Sequence, residues 1–142
     1  MKKEILFLDA NILFSAAYRE NSGLLRLWQI KSVNLVSSAY AVEEARRNLD
    51  IPFQKERLDK LLMRLTQILP YHVDIDLPRG VEIREKDKPI LLSAISGKAD
   101  FLITGDVRDF GKFYGQKIGG VTILPPSEYL KKYHINKENK TA

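Results

Sequence analysis

Short runs of consecutive apolar residues, each about as long as a β-strand, constrain the fold of this 142-residue chain more than any other feature. Because apolar side chains occupy successive positions, both faces of each strand must be covered by other elements, as in a parallel sheet. We predict strands at residues 4–8, 33–36, 100–104 and 121–124, and a further short strand at residues 72–75.

Helical patterns fill the stretches between these runs, so strands and helices alternate along the chain. The leucine spacing of residues 53–69 predicts a long amphipathic helix, which Pro70 ends. This alternation predicts an α/β sandwich around a mostly parallel sheet. The other predicted helices cover residues 24–30, the stretch from the serine caps at 37–38 to about 49, residues 88–96, and a short segment after Pro126.

The length and composition fit one globular domain, with 44% hydrophobic and 29% charged residues. The chain has no run of about 18 apolar residues that would predict a membrane span, and its first apolar run is too short for a signal peptide. Because cysteine is absent, there is no disulfide framework or thiolate metal site, and we expect a cytoplasmic protein. We expect the domain to cover residues 1–132 and residues 133–142 to form a flexible tail.

The net charge of +5, from 23 Lys and Arg against 18 Asp and Glu, is mildly basic. This excess permits binding to nucleic acid without requiring it, and part of it lies in the C-terminal tail. Charge alone therefore leaves open whether the basic residues bind a polyanion or keep the surface solvated.

Acidic residues follow several predicted strands, at the edge where open parallel sheets carry their functional crevices. Asp9 comes one residue after the first strand, and Asp106 follows the strand that ends at Thr104. Asp87 begins the helix before that strand, and Glu44 lies in the helix that follows the second strand. We therefore expect these four carboxylates to meet at one edge of the sheet.

Four converging carboxylates would repel one another, and a bound divalent cation would remove that cost. Carboxylate oxygens suit Mg²⁺ or Mn²⁺, which lower the pKa of a bound water and stabilise the charge that develops when a phosphodiester is displaced. Such a site needs no histidine, cysteine or serine nucleophile, and His72 and His134 lie in no nucleophilic pattern. The acidic pattern predicts a metal-dependent nuclease.

Each acidic residue also has a purely structural interpretation. Asp9 and Asp106 are suited to turns or helix caps, and Asp87 is suited to capping a helix N-terminus. Glu44 could be a solvated helix residue, and its neighbour Glu43 competes with it for a catalytic role. Only the joint position of these residues at one edge of the sheet favours the catalytic interpretation.

Four blocks of sequence between residues 5 and 129 resemble the PIN-domain family of ribonucleases, which includes the VapC-type toxins. The most specific part runs from Asp87 to the motif Thr104-Gly105-Asp106 at a spacing typical of the family. The match Glu-x-Arg-Arg-x-Leu places the helical glutamate of the family at Glu44. The blocks are Phe7-Leu8-Asp9-Ala10-Asn11-Ile12-Leu13, Ser38-Ala39-Tyr40-Ala41-Val42-Glu43-Glu44-Ala45-Arg46-Arg47-Asn48-Leu49, Asp87-Lys88-Pro89-Ile90-Leu91 and Ala99-Asp100-Phe101-Leu102-Ile103-Thr104-Gly105-Asp106.

The resemblance implies a three-layer α/β/α fold with a central, mostly parallel sheet. It also implies cleavage of RNA with Mg²⁺ or Mn²⁺ as cofactor, frequent pairing as a homodimer, and an antitoxin partner for the toxin members. The implied catalytic residues and metal ligands are Asp9, Glu44, Asp87 and Asp106, with Asp109 as an auxiliary metal ligand and with Asn11 and Thr104 orienting the carboxylates or metal-bound water.

Basic residues near the acidic positions are the natural contacts for substrate phosphates, and each has a plain solvated role as its alternative. We expect single-stranded RNA, because a narrow acidic cleft reaches an exposed strand more easily than a duplex. The favoured phosphate contacts are Arg46, Lys88 and Arg108, and other nearby cations are Arg47, Arg84, Lys86 and Lys112. The aromatic residues that could stack on bases are Tyr18, Tyr40 and Trp28, of which Trp28 better fits a core or dimer position.

Two other classes of function stay open at this point. A binding module for nucleic acid or protein could keep the same fold without catalysis. A receiver-like phosphoacceptor domain usually has an acidic pair after its first strand and a lysine after its last, where this chain has Asp9 alone and Pro125. The sequence contains no phosphate-cradling glycine loop.

Overall fold

A single mixed sheet forms the centre of the molecule, in a computed structural model that describes residues 2–70 and 75–141, with side chains as far as residue 133. Its strands are β1 (Glu4–Leu8), β2 (Val33–Ser38), β3 (Gln67–Leu69), β4 (Phe101–Ile103), β5 (Lys117–Ile118) and β6 (Val121–Leu124). They lie in the order β3-β2-β1-β4-β6-β5, and only the pair β5 and β6 is antiparallel. The predicted mostly parallel sheet is therefore confirmed.

Helices flank this sheet and complete the α/β/α sandwich that the sequence predicts. They are α1 (Ala10–Tyr18), α2 (Ala39–Asn48), α3 (Pro52–Leu62), α4 (Lys88–Ser96), α5 (Val107–Phe110) and α6 (Pro126–Thr141). The helix predicted at residues 24–30 is a 3-10 helix at Gly23–Gln29, in which Trp28 is buried and donates a hydrogen bond from Nε1 to the Leu61 carbonyl. Trp28 is thus a core residue. Within the described residues no helix is both long and apolar enough to cross a membrane.

The two central strands carry the core. Phe7 and Leu8 of β1 and Leu102 and Ile103 of β4 have no exposed surface. Because consecutive side chains point to opposite faces of a strand, this burial requires cover on both sides of the sheet. The same burial fixes the carboxyl ends of β1 and β4 side by side.

Helix α1 is an element that the sequence analysis does not predict. Seven of its nine residues are apolar or aromatic, so no polar stripe distinguishes one face in the sequence. The helix begins directly after β1, where Asp9 is its N-cap and accepts a hydrogen bond from the Ala10 N–H.

The helix predicted at residues 53–69 is too long. Helix α3 ends at Leu62, and the Thr66 N–H then donates to the Leu35 carbonyl at 2.8 Å as the chain joins the edge of the sheet beside β2. The backbone pairing of β3 prevails over a helical leucine spacing that continues into residues 65–69. The local spacing of apolar residues carries no information about a strand partner that lies some thirty residues earlier in the chain.

Two predictions cannot be compared with the structure in full. The predicted strand at residues 72–75 falls almost wholly on residues 71–74, which lie outside the described residues, as does His72. The side chains of residues 134–142, including His134, also lie outside the described part, so the flexible tail at residues 133–142 stays a prediction. The short elements α5 and β5 are additions that the sequence analysis does not contain.

Candidate metal centre

Two neighbouring parallel strands deliver acidic residues to the same edge of the sheet. Leu8 at the end of β1 pairs with Ile103 at the end of β4, and the Asp9 N–H donates to the Ile103 carbonyl at 3.1 Å. Asp9 therefore leaves the sheet beside Thr104, and Asp106 follows two residues later. This is the carboxyl edge of the parallel strands, where the sequence analysis expects a crevice.

A cavity of about 540 Å³ opens at this edge. It is lined by all four acidic residues that the sequence singles out, which come from the ends of β1 and β4, from α2 and from the start of α4. The structure thus brings together Asp9, Glu44, Asp87 and Asp106. The other residues that line the cavity are Ala10, Asn11, Phe14, Asn48 and Lys86.

Asp109 joins this acidic group from the first turn of α5. Asp87, Asp106 and Asp109 each present one carboxylate oxygen, and these three atoms lie within 4.8 Å of one another. Asp106 also accepts a hydrogen bond at Oδ1 from the Asp109 N–H at 3.1 Å, which fixes the start of α5. Asp106 is therefore a helix cap as well as a member of the acidic group.

Two buried carboxylate oxygens, Asp87 Oδ2 and Asp109 Oδ2, have no hydrogen-bond partner among the described residues. The side chain of Asp87 makes no capping hydrogen bond to α4, so the purely capping interpretation of this residue is wrong. Lys86 Nζ lies 3.6 Å from Asp109 Oδ2, too far for a hydrogen bond. Buried carboxylate oxygens without hydrogen bonds are costly, and a hard divalent cation is the partner that would satisfy them. The donor set therefore fits Mg²⁺ or Mn²⁺.

The neighbouring buried residues Asp87 and Asp109 have pKa values that are shifted in opposite directions. Burial, together with the adjacent Asp109 carboxylate, raises the pKa of Asp87 to about 7. The pKa of Asp109 lies below its usual value, because Asp87 is the partner that holds the proton and because Arg84 and Lys86 face it. Arg84 Nη1 and Lys86 Nζ each lie 3.6 Å from a carboxylate oxygen of Asp109, and Lys86 Nζ lies 3.8 Å from Asp87 Oδ1. These cations offset only part of the repulsion.

A hydrogen-bond network holds Asp9 in place. The Thr104 hydroxyl donates to Asp9 Oδ2 at 2.8 Å, and the Asn11 side-chain amide donates to the same oxygen at 3.1 Å. Thr104 Oγ1 in turn accepts from the Asp106 N–H at 3.1 Å, and Asn11 Oδ1 accepts from the Gly105 N–H at 2.8 Å. Asn11 and Thr104 thus orient the carboxylate of Asp9 and the loop that carries Asp106.

The electrostatics of Asp9 reflect the crowding of negative charge. Burial raises the pKa of Asp9 to about 6, against the lowering effect of the hydrogen bonds from Thr104 and Ala10. Glu44 and Asp106 raise this pKa further, because each adds a negative charge near the buried carboxylate. Asp9 is thus an N-cap whose carboxylate also faces the other acidic residues.

The structure separates Glu44 from its competitor Glu43. Glu44 is half-buried and lines the cavity, whereas Glu43 is exposed and lies 3.8 Å from Arg47 in an ion pair along α2. Asn48 also lines the cavity, since residues four apart on a helix share a face. This helix therefore contributes two polar side chains to the site.

The three basic residues favoured as phosphate contacts lie outside the cavity wall. Arg46 forms an ion pair with Asp59 of α3 at 2.7 Å, and Lys88 pairs with Glu85. Arg108 is exposed on α5, next in sequence to Asp109. Their proposed contact with phosphate stays a prediction.

Among the described residues, Lys86 is the one cation that lines the cavity, although the sequence analysis names it only among several nearby basic residues. Its backbone carbonyl accepts a hydrogen bond from the Tyr40 hydroxyl at 2.7 Å, which holds the residue against α2. Its position directly before Asp87 is the signal that could have favoured it over Lys88. Phe14 is a second lining residue that was missed, because α1 was missed.

Comparisons with known proteins agree with this architecture. A family model for the PIN domain matches residues 6–108, and no curated protein matches the chain. The solved structure of VapBC2 from Rickettsia felis, bound to a DNA fragment from their promoter, has a TM-score of 0.62 at 18% identity over 85% of this chain and 98% of that chain. FitAcB from Neisseria gonorrhoeae has a TM-score of 0.54 at 20% identity over 85% of this chain and 97% of that chain.

At these identities the two solved structures show a shared fold and nothing more specific. The family match covers the strands and helices that build the cavity, from β1 to the start of α5. The sequence match and the shared fold together establish that this chain belongs to the PIN domain family.

Proposed function

We propose that this chain is a metal-dependent endoribonuclease that cleaves the phosphodiester bonds of single-stranded RNA. The observation that carries the proposal is the single cavity in which Asp9, Glu44, Asp87 and Asp106 meet. Membership in the PIN domain family supports the same conclusion. The four residues are the proposed catalytic residues and metal ligands, with Asp109 as an auxiliary ligand.

Asp87, Asp106 and Asp109 would hold Mg²⁺ or Mn²⁺, since each offers an oxygen to the same small volume. Asp9 and Glu44 would complete the ligand set from β1 and α2. A bound ion would supply a water of lowered pKa and would neutralise charge on the phosphate. The protein contributes the rigid positions of the carboxylates, which the Thr104 and Asn11 hydrogen bonds maintain around Asp9.

The substrate phosphate would enter beside Lys86, whose side chain is half exposed and lines the cavity. Arg108, Arg46 and Lys88 would contact phosphates further along the strand, where such contacts position the backbone without reading its sequence. An unpaired strand is the favoured substrate, because its backbone can bend into a cavity of this size.

We also propose a protein partner of the antitoxin type, a homodimer and a cytoplasmic location. The support for the partner is the fold shared with VapBC2 and FitAcB over 98% and 97% of those chains. An antitoxin would silence the nuclease until it is removed. A solitary role in RNA processing is the alternative within the same activity.

The test is cleavage of a fluorescently labelled single-stranded RNA by the purified protein with Mg²⁺, Mn²⁺ or EDTA. Asp9→Asn and Asp106→Asn should each lower the cleavage rate by at least about 100-fold, as expected when a metal ligand is lost. Glu43→Gln is the matched control, because it removes an exposed charge next to Glu44 and should leave the rate unchanged. Cleavage that persists in EDTA, or in both aspartate variants, contradicts the proposal.

A binding module without catalysis is the second candidate. The ion pairs of Lys86 and Arg84 with Asp109 favour it, since they neutralise part of the acidic group without a metal. RNA binding that is indifferent to metal and yields no cleavage products would select this candidate. Isothermal titration of RNA, with and without Mn²⁺, makes the distinction.

A further inference from the structure

A second cavity, of about 320 Å³, adjoins the candidate metal centre. The two cavities share Phe14, whose side chain lies on the wall of both. Tyr18, Arg19, Asn21 and Ser22 form much of the remaining wall. No acidic residue lines this cavity among the described residues, in contrast to the metal centre beside it.

The side chains of the second cavity match the chemistry of a nucleotide. Tyr18 is 51% exposed, and its ring centroid lies 5.4 Å from that of Phe14 at an interplanar angle of 40°. An exposed aromatic face of this kind stacks on any base, because every base has a π-face. Arg19 supplies a positive charge for the backbone, and Asn21 supplies an amide that both donates and accepts hydrogen bonds.

The end of helix α1 is anchored, so the backbone of Tyr18 is held in place before any ligand binds. The Tyr18 carbonyl accepts hydrogen bonds from Gln54 Nε2 at 3.1 Å and from Arg57 Nη2 at 3.0 Å. Arg57 Nε donates to the Ala17 carbonyl at 2.9 Å, and Gln54 is buried. These contacts satisfy carbonyls that the helix leaves free at its C-terminus, and they involve the backbone of Tyr18 rather than its ring.

Helix α1 also sets the distance between the two cavities. It begins at the metal centre and ends at Tyr18, and its rise of about 1.5 Å per residue places Tyr18 about 12 Å beyond Ala10 along the helix axis. A single strand whose phosphate lies at the metal centre would therefore reach Tyr18 within a few nucleotides.

We infer that the second cavity is a base-binding subsite, in which one nucleobase of the RNA strand stacks on Tyr18 a few nucleotides from the phosphate that is cut. The inference rests on the proposed nuclease function and deepens it by assigning a contact to the substrate beyond the metal centre. It explains why an exposed aromatic ring, a cation and an amide cluster next to an acidic cavity.

The test compares Tyr18→Ala and Tyr18→Phe on single-stranded RNA oligomers that carry one abasic nucleotide at successive positions on either side of the cut. Binding is measured by fluorescence anisotropy with Mg²⁺ in an Asp106→Asn background, and cleavage is measured in the otherwise unchanged protein. Tyr18→Ala should weaken binding of the intact oligomer by about fivefold to 100-fold, and Tyr18→Phe should bind normally. One abasic position should weaken binding by a similar factor and abolish the effect of Tyr18→Ala.

Phe53→Ala is the matched control, because Phe53 is an aromatic residue 72% exposed on α3 and lines neither cavity. It should bind every oligomer as the unchanged protein does. A Tyr18→Ala effect of equal size on all abasic oligomers, or no effect on the intact one, overturns the subsite. Thermal unfolding of Tyr18→Ala checks that the half-exposed ring contributes little to stability.

The two proposals fail in different ways. If the protein cleaves RNA with metal but cleavage and binding ignore both Tyr18 and the abasic positions, the base-binding subsite is wrong and the nuclease stands. If oligomers bind with the predicted dependence on Tyr18 but no metal supports cleavage, the nuclease is wrong, and only the contact between Tyr18 and a nucleobase stands.

Discussion

Thr104 couples the Asp9 carboxylate to the backbone of Asp106 through one hydroxyl group. Its Oγ1 donates to Asp9 Oδ2 and accepts from the Asp106 N–H, and the residue is fully buried. Tyr114 also donates a hydrogen bond to the Thr104 carbonyl at 2.9 Å. A single side chain thus fixes the relative positions of residues that are almost a hundred positions apart in the sequence.

Replacing this hydroxyl tests the coupling. Thr104→Val keeps the shape of the side chain but leaves the Asp106 N–H without its acceptor and Asp9 with one donor fewer, at a cost of about 1–3 kcal/mol in the free energy of unfolding. We expect Mn²⁺ affinity, measured by calorimetry, to fall about 10-fold to 100-fold. Thr104→Ser should restore most of it, and a valine variant with unchanged affinity would show that Asp9 needs no such support.

At the scale of elements, helix α1 links the chemistry of the chain to its surface. Its N-cap is Asp9, its first turn carries Asn11, and its later turns carry Phe14 and Tyr18. Gln54 and Arg57 of α3 secure its last turn. One helix therefore spans from the metal centre to the proposed base-binding subsite.

Helix α4 depends on a different contact, with the turn between β5 and β6. Gly119 has φ +57°, and a Cβ atom there would lie 2.8–3.3 Å from three side-chain atoms of Ile95. Gly120 has φ +88°, but a Cβ atom there would meet no other atom within 4 Å. A substitution of Gly120 would therefore strain the backbone without crowding a neighbouring side chain. Substitutions at these two adjacent glycines therefore distinguish the cost of backbone strain from the cost of steric contact with Ile95.

Gly119→Ala should lower the free energy of unfolding by about 1–3 kcal/mol, and by more than Gly120→Ala does, because only the first substitution forces Ile95 to move. Chemical denaturation measures both values. In an Ile95→Ala background the cost of Gly119→Ala should fall, because the side chain that the new Cβ would meet is gone. A cost of Gly119→Ala that is the same in both backgrounds contradicts the packing described for α4.

At the scale of the whole molecule, the convergence of carboxylates makes stability depend on pH and on metal. The pKa values of Asp9 and Asp87 lie at about 6 and about 7 in the folded protein, above the ordinary 3.8. The folded protein therefore binds more protons than the unfolded chain between these values, and its stability falls as pH rises from about 4 to 7. Asp109, whose pKa is lowered, adds stability that is lost only at more acid pH.

We expect the metal-free protein to lose up to about 6 kcal/mol of unfolding free energy from these two groups between pH 4 and pH 7.5. Asp87→Asn should flatten this dependence and stabilise the metal-free protein at pH 7.5, because it removes a buried charge. Saturating Mn²⁺ should stabilise the unchanged protein more than Asp87→Asn at that pH. Thermal unfolding across pH, with and without Mn²⁺, measures both effects, and a variant less stable than the parent at pH 7.5 contradicts the charge argument.

Much of the fold can be predicted because its strands are defined by their own residues. The apolar runs at β1 and β4 require cover on both faces wherever they occur, and the parallel direction of the strands then places Asp9 and Asp106 at one edge. Helix α1 escaped prediction because its residues are apolar on nearly every face. The end of α3 was misplaced because β3 exists only through its pairing with β2.

By itself the sequence determined which acidic residues come after buried strands or begin and occupy helices, and these are local facts of spacing. The family resemblance already favoured Glu44 over Glu43, and the tertiary structure places Glu44 on the cavity wall. Only the tertiary structure decided that Lys86 rather than Lys88 lines the cavity. It also decided that Arg46 turns to Asp59. The physical reason is that a side chain's partner is set by packing between elements distant in the chain, whereas periodicity records only what each element buries along its own length.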